Sequence, residues 1–157
     1  MKKTETQFLQ HIDEVDLQIL EALRTNARTS LKSLAEKTYL SSTAVATRIE
    51  KLEKEGIIEG YHAKINSRAF GMGIKAFIQL ELEPIQKPNF YPYIRSQNNV
   101  VACHCVTGDY SMLIEVLFPS TAELDELINK LQHFGRTKTQ IVFSSPVEHR
   151  EYLPNKH

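Results

Sequence analysis

The sequence predicts an α+β protein of two domains, and three observations predict it. Between residues 13 and 56, apolar residues recur at spacings of three and four, the mark of helices that bury one stripe. From residue 75 onward the period falls to two, as in strands with one face buried and one wet. The second half also runs in the order strand, helix, strand, strand, helix, strand, a split βαβ arrangement of ferredoxin-like type. With the boundary near Asn66, residues 8–66 form a helix-turn-helix domain with its linker, and residues 67–157 form the ferredoxin-like βαββαβ domain.

The first helix opens at Asp13, with Asp16 three residues on as a capping box in which Asp replaces the usual Glu. Val15, Ile19, Leu20 and Leu23 form its stripe. Ser30 caps a second helix over residues 30–38, with Leu31, Leu34 and Ala35 on one face. Only Tyr39 and Leu40 separate it from the third, SSTAVATRIEKLEKEG, which has both ends marked. Ser41 can accept a free amide of the first turn, and Gly56 can enter the left-handed conformation that ends a helix. Val45, Ile49 and Leu52 form the stripe of this third helix. Two short helices with a tight turn make a helix-turn-helix, and three facing stripes can close one small core with the third helix outward. Its outward side begins with Ser42, Thr43, Ala46 and Thr47 and continues with Lys51 and Lys54. Short hydroxylic side chains followed by cations suit a DNA major groove, where they let the backbone come close to base edges. Helical hairpins also serve as plain protein contacts.

After Gly56, Ile57 and Ile58 lead into EGYHAKIN, a strand or linker in which Tyr61, Ala63 and Ile65 alternate with polar neighbours. SRAFGMG is a turn-rich entry to the second domain. Residues 75–83 alternate, with Ala76, Ile78, Leu80 and Leu82 inward. Residues 89–97 form a weaker helix in which Pro88 and Pro92 fit only near the first turn. Strands at 100–107 and 112–118 are joined by a turn at 108–111 and make a hairpin. A helix follows over 121–134, with Leu124, Leu127, Ile128 and Leu131 on one stripe, and a last strand runs over 137–147.

Composition bounds the function. The 157 residues are 41% hydrophobic and 24% charged, enough for a buried core without low-complexity segments. No run approaches the length of a membrane span, and MKKTETQF leads into no apolar signal region, so a cytoplasmic protein is expected. The balance of 19 basic against 19 acidic residues gives no net charge. Each half is balanced as well, with ten of each sign in residues 1–66 and nine of each in the remainder. A DNA binder gains much of its affinity by neutralising phosphates. Here that task falls on local placement of Arg28, Lys32, Arg48, Lys51 and Lys54, with several copies acting together.

The run from Ile12 to Gly60, above all LSSTAVATRIEKLEKEGIIEGY, resembles the DNA-binding domain of the Lrp/AsnC family of transcription regulators. The second half resembles that family's effector-binding domain, with VVACHCVTGDY from Val100 to Tyr110 as the most characteristic segment. The resemblance implies binding of double-stranded DNA and an amino-acid effector. It also implies dimers that pair through the C-terminal sheets and assemble into tetramers or octamers. DNA contacts are expected from Ser42, Thr43, Thr47, Arg48, Lys51, Arg28 and Lys32. The effector is expected at Thr107, Gly108, Asp109, Tyr110 and Ser111. Family members commonly carry further basic residues at the positions of Thr47 and Glu50, and an acidic residue at the position of Ser111. A carboxylate there could meet an α-ammonium group, whereas serine offers a neutral hydrogen bond.

No cofactor, metal or catalytic residue is expected. Cys103 and Cys105 lie two apart, a spacing that rarely bridges, and strand alternation puts His104 on the other face. Three readings remain: a DNA-binding regulator responding to an amino acid, an amino-acid-sensing oligomer with weak DNA binding, and a small enzyme using the Cys103 to Asp109 region. The last lacks a paired acid and base.

Overall fold

A computed structural model describes residues 12–154. The expected domain start near residue 8 and the MKKTETQF stretch lie outside the described residues. The chain divides into two compact units. One comprises the residues up to Lys64 together with those from Glu148 onward, and the other is Ile65–Val147.

Among its described residues the first unit holds three helices, α1 (Glu14–Thr25), α2 (Leu31–Thr38) and α3 (Ser42–Lys54). Each starts on the cap its sequence offers. Asp13 and Asp16 form a reciprocal capping box, Ser30 accepts from the N–H of Ser33, and Ser41 accepts from the N–H of Ala44. Ile19, Ala22, Leu34, Ala35 and Val45 make the core, with Val15, Leu23, Leu40 and Ile49 packed at its margin. α3 ends where Gly56 takes φ 73°, and the N–H groups of Ile57 and Ile58 both return to the carbonyl of Leu52. Residues 57–66 form no strand, so the linker alternative holds. The alternation there fails to make a sheet because its apolar members stay exposed with no ladder partner. In the last described stretch, Arg24 Nη1 donates to the carbonyl of Glu151 at 2.9 Å.

The second unit is a four-stranded antiparallel sheet of β1 (Ile74–Leu82), β2 (Val100–Cys105), β3 (Met112–Phe118) and β4 (Gly135–Ile141), in the order β2-β3-β1-β4. Helices α4 (Lys87–Arg95) and α5 (Thr121–Leu131) cover one face. Ala76, Ile78 and Leu80 of β1 pair with Val116, Ile114 and Met112 of β3, and all six are buried beneath Phe90, Ile94, Leu124, Leu127 and Leu131. The other face carries Phe77, Leu113 and Leu117, with Lys75 and Glu115 paired at 2.6 Å.

Several bounds differ from expectation: the helix expected over 89–97 runs over Lys87–Arg95, and the one expected over 121–134 stops at Leu131. Pro92 lies inside α4, so the helix forgoes the N–H that would bond residue 88. β2 ends at Cys105, with an irregularity between Val100 and Ala102. β4 begins at Gly135 and stops at Ile141. At Gly135 φ is 153°, and a Cβ there would collide with the backbone carbonyl of Glu81, so only glycine lets β4 approach β1 at that point.

Candidate functional site

Burial of Val45 and Leu52 fixes the rotation of α3 and turns Ser42, Thr43, Thr47, Glu50 and Lys51 to solvent. The Thr47 hydroxyl donates to the Thr43 carbonyl at 3.1 Å, so its oxygen still has lone pairs for an incoming donor. Arg28 before α2 and Lys32 in its first turn are exposed. The exposed set is hydroxylic at Ser42, Thr43 and Thr47, cationic at Arg28, Lys32 and Lys51, and anionic at Glu50.

Arg48, expected at the DNA, is paired within its own unit. Its Nη1 donates to Asp13 Oδ2 and to Asp16 Oδ1, both at 2.7 Å, and Asp16 is only 2% exposed. The capping box of α1 therefore also receives the guanidinium of α3. Burial pushes the Asp13 carboxyl up, but the backbone N–H of Asp16 and the Arg48 guanidinium outweigh it and hold the group below its ordinary value. The hydrogen bonds that Arg48 donates to Asp16 and Asp13 raise the guanidinium in turn. In this structure Arg48 positions α3. Helical periodicity could not reveal the pairing, because the partners lie 32 and 35 residues away.

Sequence reasoning also missed Tyr61, whose hydroxyl donates to Glu53 Oε1 at 2.8 Å. Burial first, and Glu53 second, push its phenol up to about 12. The chain after Gly56 is thereby tied back to the outer side of α3.

In the second unit, Thr107, Gly108 and Asp109 are exposed at the connection between β2 and β3, while Tyr110 and Ser111 are half-buried. Gly108 has φ 112° with open space around it, so backbone conformation calls for glycine there. Ser111 is occupied: its N–H donates to Leu80 O at 3.1 Å, and its Oγ accepts from Leu82 N–H at 3.1 Å. The serine ties the turn to β1, a role that only the far separation in sequence conceals. The Tyr110 ring lies 5.4 Å from the Arg136 guanidinium, and Arg136 Nε donates to Glu81 Oε2 at 3.0 Å. The turn thus has an exposed carboxylate in Asp109 and, from β4, a cation that periodicity did not mark.

Cys103 and Cys105 are both free thiols. Burial, then the neighbouring Cys105, pushes Cys103 up, away from the thiolate that nucleophilic chemistry needs. Among the described residues, no three His, Cys, Asp or Glu side chains gather as a metal site, and no helix is long and apolar enough to cross a membrane.

Comparison with known proteins matches both units. Residues 12–59 fit the family of winged helix-turn-helix DNA-binding domains, and residues 75–152 fit the Lrp/AsnC ligand binding domain. The HTH-type transcriptional regulator LrpA of Bacillus subtilis is 37% identical over 132 residues, which is 83% of this chain and 97% of that protein. The structure of B. subtilis LrpC superposes with a TM-score of 0.82 at 26% identity, over 87% of this chain and 98% of that one. A Neisseria meningitidis transcriptional regulator solved as its L-Met complex also gives 0.82, at 25% identity, over 90% of this chain and 96% of that one.

Proposed function

This chain belongs to the Lrp/AsnC family of transcription regulators, and we propose that it acts in the cytoplasm as an oligomer whose DNA binding responds to an amino acid. The observation that carries the reading is the orientation of α3: Ser42, Thr43 and Thr47 are presented outward by a helix whose other side is core. Lys51, Arg28 and Lys32 supply phosphate contacts around them, and Arg48 holds the helix in place. With no net charge, one copy binds weakly, and paired copies supply the avidity. Pairing is supported by Phe77, Leu113 and Leu117 on the sheet face that α4 and α5 leave uncovered, since such an apolar remainder finds a partner subunit.

In this reading the turn from Thr107 to Ser111 takes the effector. Asp109 meets an α-ammonium group, Arg136 is the nearby cation for an α-carboxylate, and Tyr110 fixes that cation. The L-Met complex of the N. meningitidis relative supports an amino acid as the ligand class. The full chain is titrated by fluorescence anisotropy against its own upstream DNA and a random duplex, with each of the twenty amino acids. Salt-sensitive binding that favours the upstream duplex and shifts with an amino acid supports the proposal. Binding of an amino acid without measurable DNA affinity supports instead the sensing oligomer that the balanced charge favours.

A further inference from the structure

We infer that Tyr39, in the turn between α2 and α3, contacts the DNA backbone through its hydroxyl, an inference that rests on the DNA-binding reading above. Among the described residues Tyr39 is the one non-glycine with positive φ, at φ 55° and ψ 35°. This left-handed conformation crowds Cβ against the following carbonyl and is ordinarily left to glycine or asparagine, so a bulky aromatic there is an outlier. The turn itself has a purpose. The N–H groups of Tyr39 and Leu40 both donate to the Ala35 carbonyl, which ends α2 and brings Leu40 against the core. None of this needs a tyrosine. The side chain is 95% exposed and makes no hydrogen bond, ion pair or ring contact with any described residue. Strain that returns nothing in packing points to an external use.

Its position says which. Tyr39 lies two residues before Ser41, the N-cap of α3, beside the exposed Ser42 and Thr43. When the N-terminal part of a recognition helix meets base edges, the turn that feeds it runs along the flanking phosphates. A tyrosine hydroxyl is a regular donor to phosphate oxygen. Being neutral, it adds affinity to a chain with no net charge and displaces no condensed counterion.

That last property makes the contact testable. Anisotropy titrations over a salt series compare the full-length protein with Tyr39→Phe, Tyr39→Gly, Tyr39→Asn and Lys32→Ala, on upstream and random duplexes. Glycine and asparagine suit the left-handed turn, so their melting temperatures stay at or above that of the wild type. All three Tyr39 variants weaken binding to both duplexes about tenfold, with an unchanged slope of log affinity against log salt. Lys32→Ala reduces that slope by about one. Wild-type affinity in Tyr39→Phe overturns the inference, as does a change of salt slope in any Tyr39 variant. A wild type that binds neither duplex overturns the DNA-binding reading and this inference together, a result distinct from a binding wild type that the substitutions leave unmoved.

Discussion

In the ferredoxin-like unit, thirteen buried apolar residues from β1, β3, α4 and α5 form a single cluster, so shape and volume decide how its elements meet. In the helical unit the cluster has five among the described residues, and a buried carboxylate, Asp16, faces the guanidinium of Arg48 across the helices. A small unit buries a smaller fraction of its surface, so the direction of α3 depends on charge as well as on packing. Placement of the recognition helix is thus the part of the molecule most open to a single change of charge, while the sheet is most open to a change of volume or backbone clearance.

The largest effect that sharpens this contrast is expected from Phe90→Ala. Phe90 is fully buried and meets Tyr91 and Phe134 edge-on; its truncation should cost about 3–5 kcal/mol of the second unit's stability in denaturant unfolding. Arg48→Ala comes next. It strands Asp16 without its cation, and because Arg48 itself is about a third exposed, the loss should be about 2 kcal/mol, confined to the helical unit. An equal loss in both units would break the comparison.

Acid should divide them in the same way. Asp13 is held below its ordinary value, so its contribution is present above the unfolded carboxyl value of about 3.9 and disappears as pH falls through the lower folded value. The helical unit should therefore weaken below about pH 4, and Arg48→Ala should flatten that dependence, as amide exchange resolved by unit would show. The smallest effect is expected at Tyr93. Its hydroxyl is buried without a hydrogen-bond partner among the described residues, and burial pushes the phenol up. Tyr93→Phe removes an unsatisfied group and should leave the melting temperature unchanged or slightly raised; a loss above about 1 kcal/mol would mean the hydroxyl is satisfied after all.

What periodicity and caps can encode was legible. Asp13, Ser30 and Ser41 begin the helices where the sequence places them, Gly56 ends α3, and the inward residues of β1 and β3 are the alternating ones. What depends on residues far apart was not. Gly135 is required by the carbonyl of Glu81 on another strand, and the Ser111 hydroxyl is used by the N–H of Leu82. Arg48 sits on the polar part of α3, as a groove-facing cation would, and only the fold shows that two aspartates of α1 have taken it. At the site, then, residue types could be read from the chain, but the division between those that hold α3 and those that face outward could not.

That division is the central claim, and one paired measurement tests it most directly. Melting temperature and affinity for the upstream duplex are read on the same samples of wild type and of the double variant Thr43→Ala, Thr47→Ala. The account predicts that the double variant loses tenfold or more in affinity, about 1–3 kcal/mol, while its melting temperature stays within about 2 °C of the wild type. Wild-type affinity on that duplex would contradict it, because the outward side of α3 would then not be where this protein meets DNA.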